Sequence, residues 1–426
     1  MANIKTHNIK TFLSKLSLDK FQNNKWFRII TITLLSYILS YSLLYQIISS
    51  PIFTQQKGND FEMSDFYNVV ANNRPLRTLN EDIVIVSIDN CSRLEIAQLI
   101  DIINYTEPSA IGVDVFFTYI SKEDSLIIET FNQTPNLVLA YDAFLETNTY
   151  FAPSLPNTTW GAINLTAKHT SGIIRQFQPQ FNDSIFAFSA QLVKLTNPKA
   201  FNQLKNRNKN LETICYPSQE FEIIDGMSIL QGKINLLDLE DILHNKIILL
   251  GDTHNPFDQH QTPIASNMPG IIINAHILAT IQNNLYIDST PNWINWCIAV
   301  AVGLLLSFMI VTFQTTNVLK SYTSFAIRIF QVLVIIVFLY IGCFIFAQWH
   351  YYCNFAPSLF MVGLGVLAVA VEPIVYLLLR TIIATIKYIL NHTHNIVIFI
   401  IKTYRKTKAK LELIKRKKKE TKKWNI

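Results

Sequence analysis

Four apolar stretches constrain this chain more than its other features, because each is long enough to cross a lipid bilayer. A helix needs about 20 apolar residues to span the hydrocarbon core. The stretches cover residues 29–48, 293–313, 325–347 and 355–379. Surface helices of globular domains carry a polar stripe at a period of 3.6 residues, and these stretches mostly lack one. We therefore predict four transmembrane helices, the first of them an uncleaved anchor behind a long basic leader.

Lysine and arginine are concentrated at the two ends of the chain. Residues 1–28 carry six of them against one acidic residue, and residues 380–426 carry fourteen against two. Residues 53–292 carry fourteen against twenty-six acidic residues. Because basic residues close to the spans stay on the cytoplasmic side, we predict cytoplasmic termini and an external location for residues 53–292. We expect this multi-pass arrangement in the inner (cytoplasmic) membrane.

The basic C-terminal tail, residues 380–426, favours contact with an anionic surface. Its apolar residues between positions 381 and 401 predict an amphipathic helix at the membrane interface. The basic residues from 402 to 423 would contact anionic lipid or an acidic partner, or else stay solvated and fix the topology. Nucleic acid is not expected as a partner, because no aromatic residues are interleaved with the basic ones.

Four short runs within residues 53–292 have the composition of strands buried on both faces. They are rich in β-branched residues, and each has an aspartate at or near its carboxyl end. These runs cover residues 83–89, 109–117, 136–142 and 246–252. Helical patterns lie between them, and Ser92 with Glu95 has the spacing of a capping box. This order predicts an α/β extracytoplasmic domain in which helices cover a parallel sheet.

The aspartates of these runs are Asp89, Asp114, Asp142 and Asp252. Ligands of parallel α/β sheets bind outside the carboxyl ends of the strands, where these side chains would meet. Such a rim would bind a cation or an amine. Alternatively, each aspartate only ends its strand and caps the following turn. The sequence leaves both interpretations open.

The loop from residue 252 to residue 260 alternates aspartate with histidine, and such mixed sets bind zinc or manganese in other proteins. The spacing matches no defined metal motif, so we predict neither a metal nor another cofactor. No nucleophile stands beside a base at short range. We therefore predict no catalytic residue and no enzyme activity.

The most specific segment of the chain covers residues 251–276 and reads GDTHNPFDQHQTPIASNMPGIIINAH. Asp258 precedes the pair Thr262-Pro263, and a Met-Pro-Gly turn opens a helix that carries His276. These motifs resemble the CHASE-type sensor domains of the second class, which are cyclase- and histidine-kinase-associated sensory extracellular domains. The strands IVIVSID and AIGVDVFF and the segment WGAIN also resemble that family, in the same order. One span before the domain and three after it is the family's usual layout.

The resemblance implies an extracellular sensor and adds Asp258, Thr262 and His276 to the candidate ligand-binding residues. Thr262 with its proline could instead shape the loop. Where the family has a His-Ala pair, this chain has Asn-Ala-His at residues 274–276. Family members often continue into a cyclase, kinase or phosphatase. The residues after 379 carry no glycine-rich phosphate loop, metal-ligand cluster or triad, so we expect a separate cytoplasmic signalling partner.

The sequence thus predicts a membrane-bound extracytoplasmic sensor that binds a small molecule or a protein and relays to a cytoplasmic partner. The alternative is a structural or assembly subunit of an inner-membrane complex that senses nothing. A large exposed apolar patch would favour the structural subunit, and an open polar rim would favour the sensor.

The sequence predicts one specific pairing and leaves a second one open. Glu372 lies roughly 12 Å inside the fourth span, where a carboxylate should pair or protonate. We predict that it faces Arg328 of the third span, with a local water pocket as the alternative. Cys91 and Cys215 both fall in the external segment and could form a disulfide in an oxidising compartment.

Overall fold

The computed structural model describes residues 23–49, 62–73, 78–144, 149–167, 172–182, 184–217, 219–315 and 320–423. Most of the predicted cytoplasmic N-terminal segment, residues 1–28, lies outside these residues. The chain divides into two compact units. The first, which we call the sensor unit, comprises Ser42–Ala299 and Val332–Leu359. The second, which we call the membrane unit, comprises Met1–Tyr41, Val300–Gln331 and Phe360–Ile426.

The strands of the described residues all lie in the sensor unit. In chain order they are β1 (Thr78–Ser87), β2 (Ala110–Val113), β3 (Leu137–Tyr141), β4 (Thr159–Ala162), β5 (Thr166–Ala167), β6 (Ile174–Phe177), β7 (Glu212–Thr213), β8 (Gln219–Asp225), β9 (Ile247–Gly251), β10 (Gln259–His260), β11 (Met268–Pro269), β12 (Asp288–Ser289) and β13 (Tyr351–Tyr352).

The helices are distributed over both units. In chain order they are α1 (Lys25–Ser49), α2 (Met63–Asn72), α3 (Arg93–Tyr105), α4 (Asp124–Gln133), α5 (Phe188–Thr196), α6 (Pro198–Arg207), α7 (Gly226–Leu230), α8 (Leu236–Leu243), α9 (Gly270–Gln282), α10 (Asn292–Thr315), α11 (Lys320–Trp349) and α12 (Ala356–Lys423). Short 3-10 turns cover Ala152–Ser154 and Pro256–Asp258.

The main sheet has six strands in the order β4-β3-β2-β9-β1-β8, and every neighbouring pair is parallel. The four strands that were predicted from composition are β1, β2, β3 and β9. They are adjacent in the sheet, in the spatial order β3-β2-β9-β1. Their apolar residues in the predicted runs are buried on both faces, as continuous apolar sequences require, whereas the first five residues of β1 are not buried. The predicted parallel α/β fold is confirmed.

Helices cover both faces of the sheet. Ile83 and Ile85 of β1 point into one core with α5, α6 and α9. Val84 and Val86 of the same strand point into the other core with α3, α4, α7 and α8. The alternation follows from the period of two in a strand, which sends successive side chains to opposite faces. The sheet is therefore the middle layer of three.

Local sequence sets where the helices begin. The Ser92 side chain accepts a hydrogen bond from the backbone N–H of Glu95, whose carboxylate accepts from the backbone N–H of Ser92 at 2.7 Å. This reciprocal capping box starts α3 as predicted. A similar bond starts α4, because the backbone N–H of Ser121 donates to the carboxylate of Asp124 at 2.7 Å.

The sensor unit also includes the outer part of α11 and the segment that follows it. Tyr67 of α2 is fully buried against Gly342 and Phe346 of α11. Arg175 of β6 binds Asp65 of α2 through two hydrogen bonds of 2.7 and 2.8 Å, and both side chains are buried. Strand β12, which follows α9, pairs in parallel with β13, which follows α11. Helix α2 is therefore fastened both to the domain and to α11.

Four helices are long and apolar enough to cross a membrane, over Lys25–Leu43, Asn292–Gln314, Phe325–Trp349 and Ala356–Ile389. They correspond to the four predicted spans. Within the membrane unit, α1, α10 and α12 pack through small and β-branched side chains, and the Thr33 hydroxyl lies 3.0 Å from that of Ser307. Helix α12 continues through Pro373 to Lys423 without interruption. The predicted interfacial helix is therefore the continuation of the fourth span.

The intramembrane partner of Glu372 differs from the prediction. Arg28 of α1, not Arg328, binds both carboxylate oxygens of Glu372 at 2.9 Å, and Arg28 also donates to Gln314 at 3.1 Å. The carboxylate lies inside the apolar run of α12, where it is buried and needs a cation. Packing of α1 against α12 supplies that cation, and the order of helices in a bundle is not written in their individual sequences.

The disulfide between Cys91 and Cys215, which the sequence left open, is not formed in the structure. Cys91 and Cys215 are both free thiols. Cys91 packs against the core that contains α3, whereas Cys215 is buried in a separate cluster with Tyr67 and Phe346. The sheet and its helices thus hold the two sulfur atoms in different parts of the unit.

Candidate functional site

The carboxyl ends of four neighbouring strands carry the four predicted rim aspartates. Ser87 of β1 is level with Gly251 of β9, and Val113 of β2 is level with Leu250 and with Leu139 of β3. This register puts the aspartates within about two residues of one another along the strands, or about 7 Å. Neighbouring strands are about 4.8 Å apart. The aspartates therefore form one band at one edge of the sheet, which we call the acidic rim.

Asp89 is held by the loop that follows β9. Its Oδ1 accepts a hydrogen bond from the backbone N–H of Thr253 at 2.8 Å. Its Oδ2 accepts from the hydroxyl groups of Thr253 at 2.8 Å and Ser87 at 2.5 Å, and it lies 2.6 Å from Nδ1 of His254. The carboxylate of Asp89 is thus fully engaged and ties β1 to that loop.

Asp252 lies beside Asp89, and each of the two carboxyl groups affects the pKa of the other. Burial tends to raise the pKa of both carboxyls, but hydrogen bonds from Asp252, Ser87 and His254 hold the pKa of Asp89 well below its usual value. Burial and the neighbouring Asp89 raise the pKa of Asp252. Oδ1 of Asp252 also accepts from the backbone N–H groups of His254 and Asn255, each at 2.9 Å. The two carboxyl groups therefore connect the carboxyl ends of β1 and β9.

A second polar group surrounds the end of β2 and the start of α9. The amide of Asn274 donates to Oδ2 of Asp114 at 3.0 Å. Asp258, in the loop before α9, accepts from the backbone N–H of Gly270 at 3.1 Å. Its other oxygen lies 2.9 Å from Nε2 of His260. Asp114 and Asp258 are close enough for their charges to repel.

Asp114 is a weaker acid than an ordinary aspartate. Burial raises its pKa to about 7, and the charge of Asp258 adds to this effect. The hydrogen bond from Asn274 and the nearby His260 act in the opposite direction. In the described part of the chain, neither carboxyl forms an ion pair with a lysine or an arginine. A cation beside this pair would therefore favour the ionised form of Asp114.

Gly270 is required by the position of Asp258. A Cβ atom at residue 270 would lie 2.6 Å from Oδ1 of Asp258, which is closer than real Cβ contacts. Without a Cβ atom at residue 270, this carboxylate reaches the first N–H group of α9, where the helix dipole favours a negative charge. The close approach of Asp258 thus explains the glycine in the Met-Pro-Gly turn.

Asp142 occupies the end of the acidic rim and is engaged in its own loop. Its Oδ1 accepts from the amide of Asn164 at 2.7 Å and from the backbone N–H of Phe144 at 2.9 Å. Asn164 in turn accepts from the backbone N–H of Ala143 at 2.7 Å. Asp142 therefore caps the turn after β3, which is the alternative role considered for these aspartates.

Thr262 and His276 are buried and engaged in the fold. The hydroxyl of Thr262 closes a turn with the backbone of Ala265, through contacts of 3.1 and 3.2 Å. His276 lies between the rings of Tyr216 and Phe221, with centroids 5.1 and 4.9 Å away, and burial lowers its pKa to about 3. Since Phe221 precedes the end of β8 by four residues, His276 packs below the acidic rim and not on it.

Some residues of the rim were not among the predicted candidates. Asn274 lies four residues after the start of α9, so its place one helical turn from the rim was a usable signal in the sequence. Ser87 lies two residues before Asp89 in the chain, whereas Thr253 contacts Asp89 only because β1 pairs with β9, which is distant in the sequence. No local pattern predicts that pairing.

Large apolar side chains are exposed in the loops that flank the acidic rim. Phe257 is 94% exposed, Ile120 is 82% exposed and Phe144 is 75% exposed. They follow β9, β2 and β3 respectively. Contiguous exposed apolar patches mark interaction sites, whereas single exposed apolar side chains are common on protein surfaces. The loops after three of the rim strands thus each carry one such exposed side chain.

Other features of the sensor unit lie elsewhere. Two cavities, of about 150 and 350 Å³, share Thr78 and Gln219 at the starts of β1 and β8, the end of the sheet opposite the rim. In the described residues, no group of three or more His, Cys, Asp or Glu side chains could hold a metal ion.

A parallel sheet covered on both faces, an acidic rim and four helices of membrane length define a membrane protein with an extracytoplasmic α/β sensor domain. The sequence matches the CHASE2 domain over residues 43–312, and the chain belongs to that family. CHASE2 domains are sensory and not catalytic. The resemblance noted in the sequence is thereby confirmed. Comparison with curated proteins and with solved structures found no match.

Proposed function

We propose that this protein is a membrane sensor whose acidic rim binds a positively charged small molecule outside the cytoplasm. Residues 53–292 would face outward from the inner membrane, and both termini would be cytoplasmic. The basic tail would contact anionic lipid or a cytoplasmic signalling partner, which reads the signal. The charge distribution of the chain supports this orientation.

The pair formed by Asp114 and Asp258 carries the proposal. Asp89 and Asp252 interact with each other, and Asp142 caps a turn. These three aspartates therefore have structural roles. Asp114 instead stands beside a second carboxyl without a lysine or arginine partner in the described residues. Two adjacent carboxyls suit an amine, which would lower the repulsion between them.

Helix α9 offers a physical route from the rim toward the membrane. It begins at Gly270 beside Asp258, and its 13 residues extend about 20 Å. Ten residues after its last residue, Gln282, the second membrane helix begins at Asn292. A ligand would shift this element only if it bound two arrangements of the rim with unequal affinity.

Titration of the full-length protein in lipid nanodiscs with putrescine tests the rim. The wild type should bind this diamine, and Asp114→Asn should weaken binding at least tenfold because one carboxylate is lost. Asp142→Asn is the matched control, since that carboxyl caps a turn, and it should bind nearly as the wild type does. Equal affinity in all three proteins would remove the amine-binding rim from the proposal.

Affinity purification tests the relay. Full-length protein and a copy truncated after Arg380 are purified in mild detergent, and the bound proteins are identified. A kinase, cyclase or response protein recovered only with the full-length chain supports a signalling partner. Recovery of the same large assembly by both forms, with no signalling enzyme, contradicts it.

A structural or assembly subunit is the second candidate, and the exposed side chains of Phe257, Ile120 and Phe144 favour it. In that case the rim would dock a protein. Replacing Phe257 by serine should then release the partner protein, whereas putrescine binding should be absent in every variant. The amine titration and the purification together separate the two functions.

A further inference from the structure

Helix α12 is much longer than a membrane span. It continues from Ala356 to Lys423, and its 68 residues extend about 100 Å. Even at a tilt of about 40°, roughly 26 residues cross a hydrocarbon core of about 30 Å, so the core that begins at Ala356 ends near residue 382. The sequence has no proline or glycine after Pro373, which removes the usual causes of a kink. About 60 Å of helix therefore extends past the hydrocarbon core.

Apolar side chains on this extension are exposed within the described part of the chain. Every residue from 399 to 408 is exposed, which is nearly three full turns of helix. Exposed isoleucines also occur at Ile382, Ile386, Ile396 and Ile400. The hydrocarbon core does not cover Ile396, which lies about 20 Å further along the helix than residue 382. A helix with an apolar stripe is stabilised by packing that stripe against another element, so this extension requires a partner.

The sequence of the extension has the spacing of a coiled coil. Steps of four and three residues alternate through eight positions, and each position holds isoleucine or threonine. These positions are Ile382, Ile386, Ile389, Thr393, Ile396, Ile400, Thr403 and Thr407, and we call them the α12 seam. Lys410 takes the next position and ends the pattern. More than three heptads of this spacing are typical of a helix that pairs with another helix along one face.

The charges of the extension are compatible with a second copy at the seam. Four of the five basic residues between positions 382 and 408 lie a quarter turn or more from the centre of the seam, namely Lys387, Lys402, Arg405 and Lys408. In a parallel pair, the positions that flank the seam would bring residue 385 to 390, 392 to 397, 399 to 404 and 406 to 411. None of these pairs in the sequence combines two like charges. Two identical helices therefore meet without repulsion at the seam.

We propose that the α12 seam binds the same seam of a second copy of this chain in a parallel coiled coil. Copies inserted into one membrane with the same topology have parallel α12 helices, so identical residues come level with one another. The chain's own N-terminal leader fits the seam less well, because Arg28 of α1 contacts Glu372 about a quarter turn away. The basic outer side of the pair stays free for lipid or a signalling partner. This pairing does not depend on what the acidic rim binds.

Disulfide formation between introduced cysteines tests the pairing. Full-length Ile400→Cys and Arg405→Cys proteins are reconstituted in liposomes at low density and oxidised with copper phenanthroline, and dimers are quantified on a non-reducing gel. Ile400→Cys should form dimers roughly tenfold faster or more, because seam positions meet across a coiled coil whereas Arg405 lies on the outer side. The wild type, whose five cysteines all precede the extension, measures background linkage. Equal rates for the two variants, or no dimer of Ile400→Cys above background, would overturn the proposal.

A charge placed in the seam supplies an independent test. Ile400→Lys sets two lysines opposite each other and should weaken self-association roughly tenfold or more, measured by energy transfer between labelled copies in liposomes of graded protein density. Ile400 is 58% exposed in the single chain, so this change leaves the core of each copy untouched. Lys402→Ala, on the outer side, is the matched control and should associate as the wild type does. Unchanged association of Ile400→Lys contradicts the pairing. A photo-crosslink from a benzophenone at residue 400 to residues 1–24 of the same chain, or to lipid, would assign the seam to that occupant instead and overturn the proposal.

Discussion

Replacement of Asp114 by asparagine should change how stability depends on pH. Burial raises the pKa of Asp114 from 3.8 to about 7 in the folded protein. The folded state therefore binds a proton more tightly than the unfolded state does. This contribution to stability is fully present below about pH 4 and is lost as the pH rises through 7. Asparagine does not titrate, so the variant keeps its stability over that range.

The size of the effect follows from the two pKa values. A difference of one pKa unit corresponds to about 1.4 kcal/mol, so the complete loss is about 4 kcal/mol. Between pH 5 and pH 8 the loss is about 2.5 kcal/mol. For a domain of this length, 1 kcal/mol changes the unfolding temperature by about 2–4 °C. Asp114→Asn should therefore gain about 5–10 °C over the wild type between pH 5 and pH 8.

Thermal unfolding of the full-length protein in nanodiscs measures this gain. Tryptophan fluorescence is recorded at one scan rate at both pH values, since unfolding of a membrane protein is commonly irreversible. Asp101→Asn, which removes an exposed carboxylate of α3, is the matched control and should follow the wild type. A difference between Asp114→Asn and the wild type that is the same at pH 5 and pH 8 would refute the assignment.

Three further outcomes are expected. Arg175→Gln leaves a buried carboxylate of α2 without its cation and should destabilise the sensor unit by about 3–5 kcal/mol, measured as a lower unfolding temperature. Glu372→Gln removes the carboxylate that binds Arg28 in the membrane unit and should lower the yield of folded protein in detergent, whereas Arg328→Gln should not; the reverse result would restore the predicted pair. Gly270→Ala should destabilise the sensor unit by about 1–3 kcal/mol through its contact with Asp258, and Asp258→Ala should relieve most of that loss when both changes are combined.

The sequence alone determined the class of this protein. Four apolar stretches predicted four helices of membrane-spanning length, since length and hydrophobicity are local properties, and the structure has four such helices. The four aspartate-terminated runs became four neighbouring strands, because continuous apolar runs of β-branched residues need cover on both faces. The motif around Asp258 and Gly270 indicated the family. The structure explains the glycine of this motif by its close contact with Asp258.

The tertiary structure alone decided what each candidate residue does. The four aspartates look equivalent in the sequence, yet Asp89 is saturated by hydrogen bonds and Asp114 is left beside a second carboxyl. His276 lies in a motif of the family but is enclosed by aromatic rings.

The same limit applies to Glu372, which binds Arg28 and not the predicted partner Arg328. The cavity beside Gln219 has no signature in the sequence, because its walls come from segments more than 250 residues apart. Burial and charge pairing depend on which distant segments meet in three dimensions, whereas hydrophobicity and periodicity are already present in the chain before it folds.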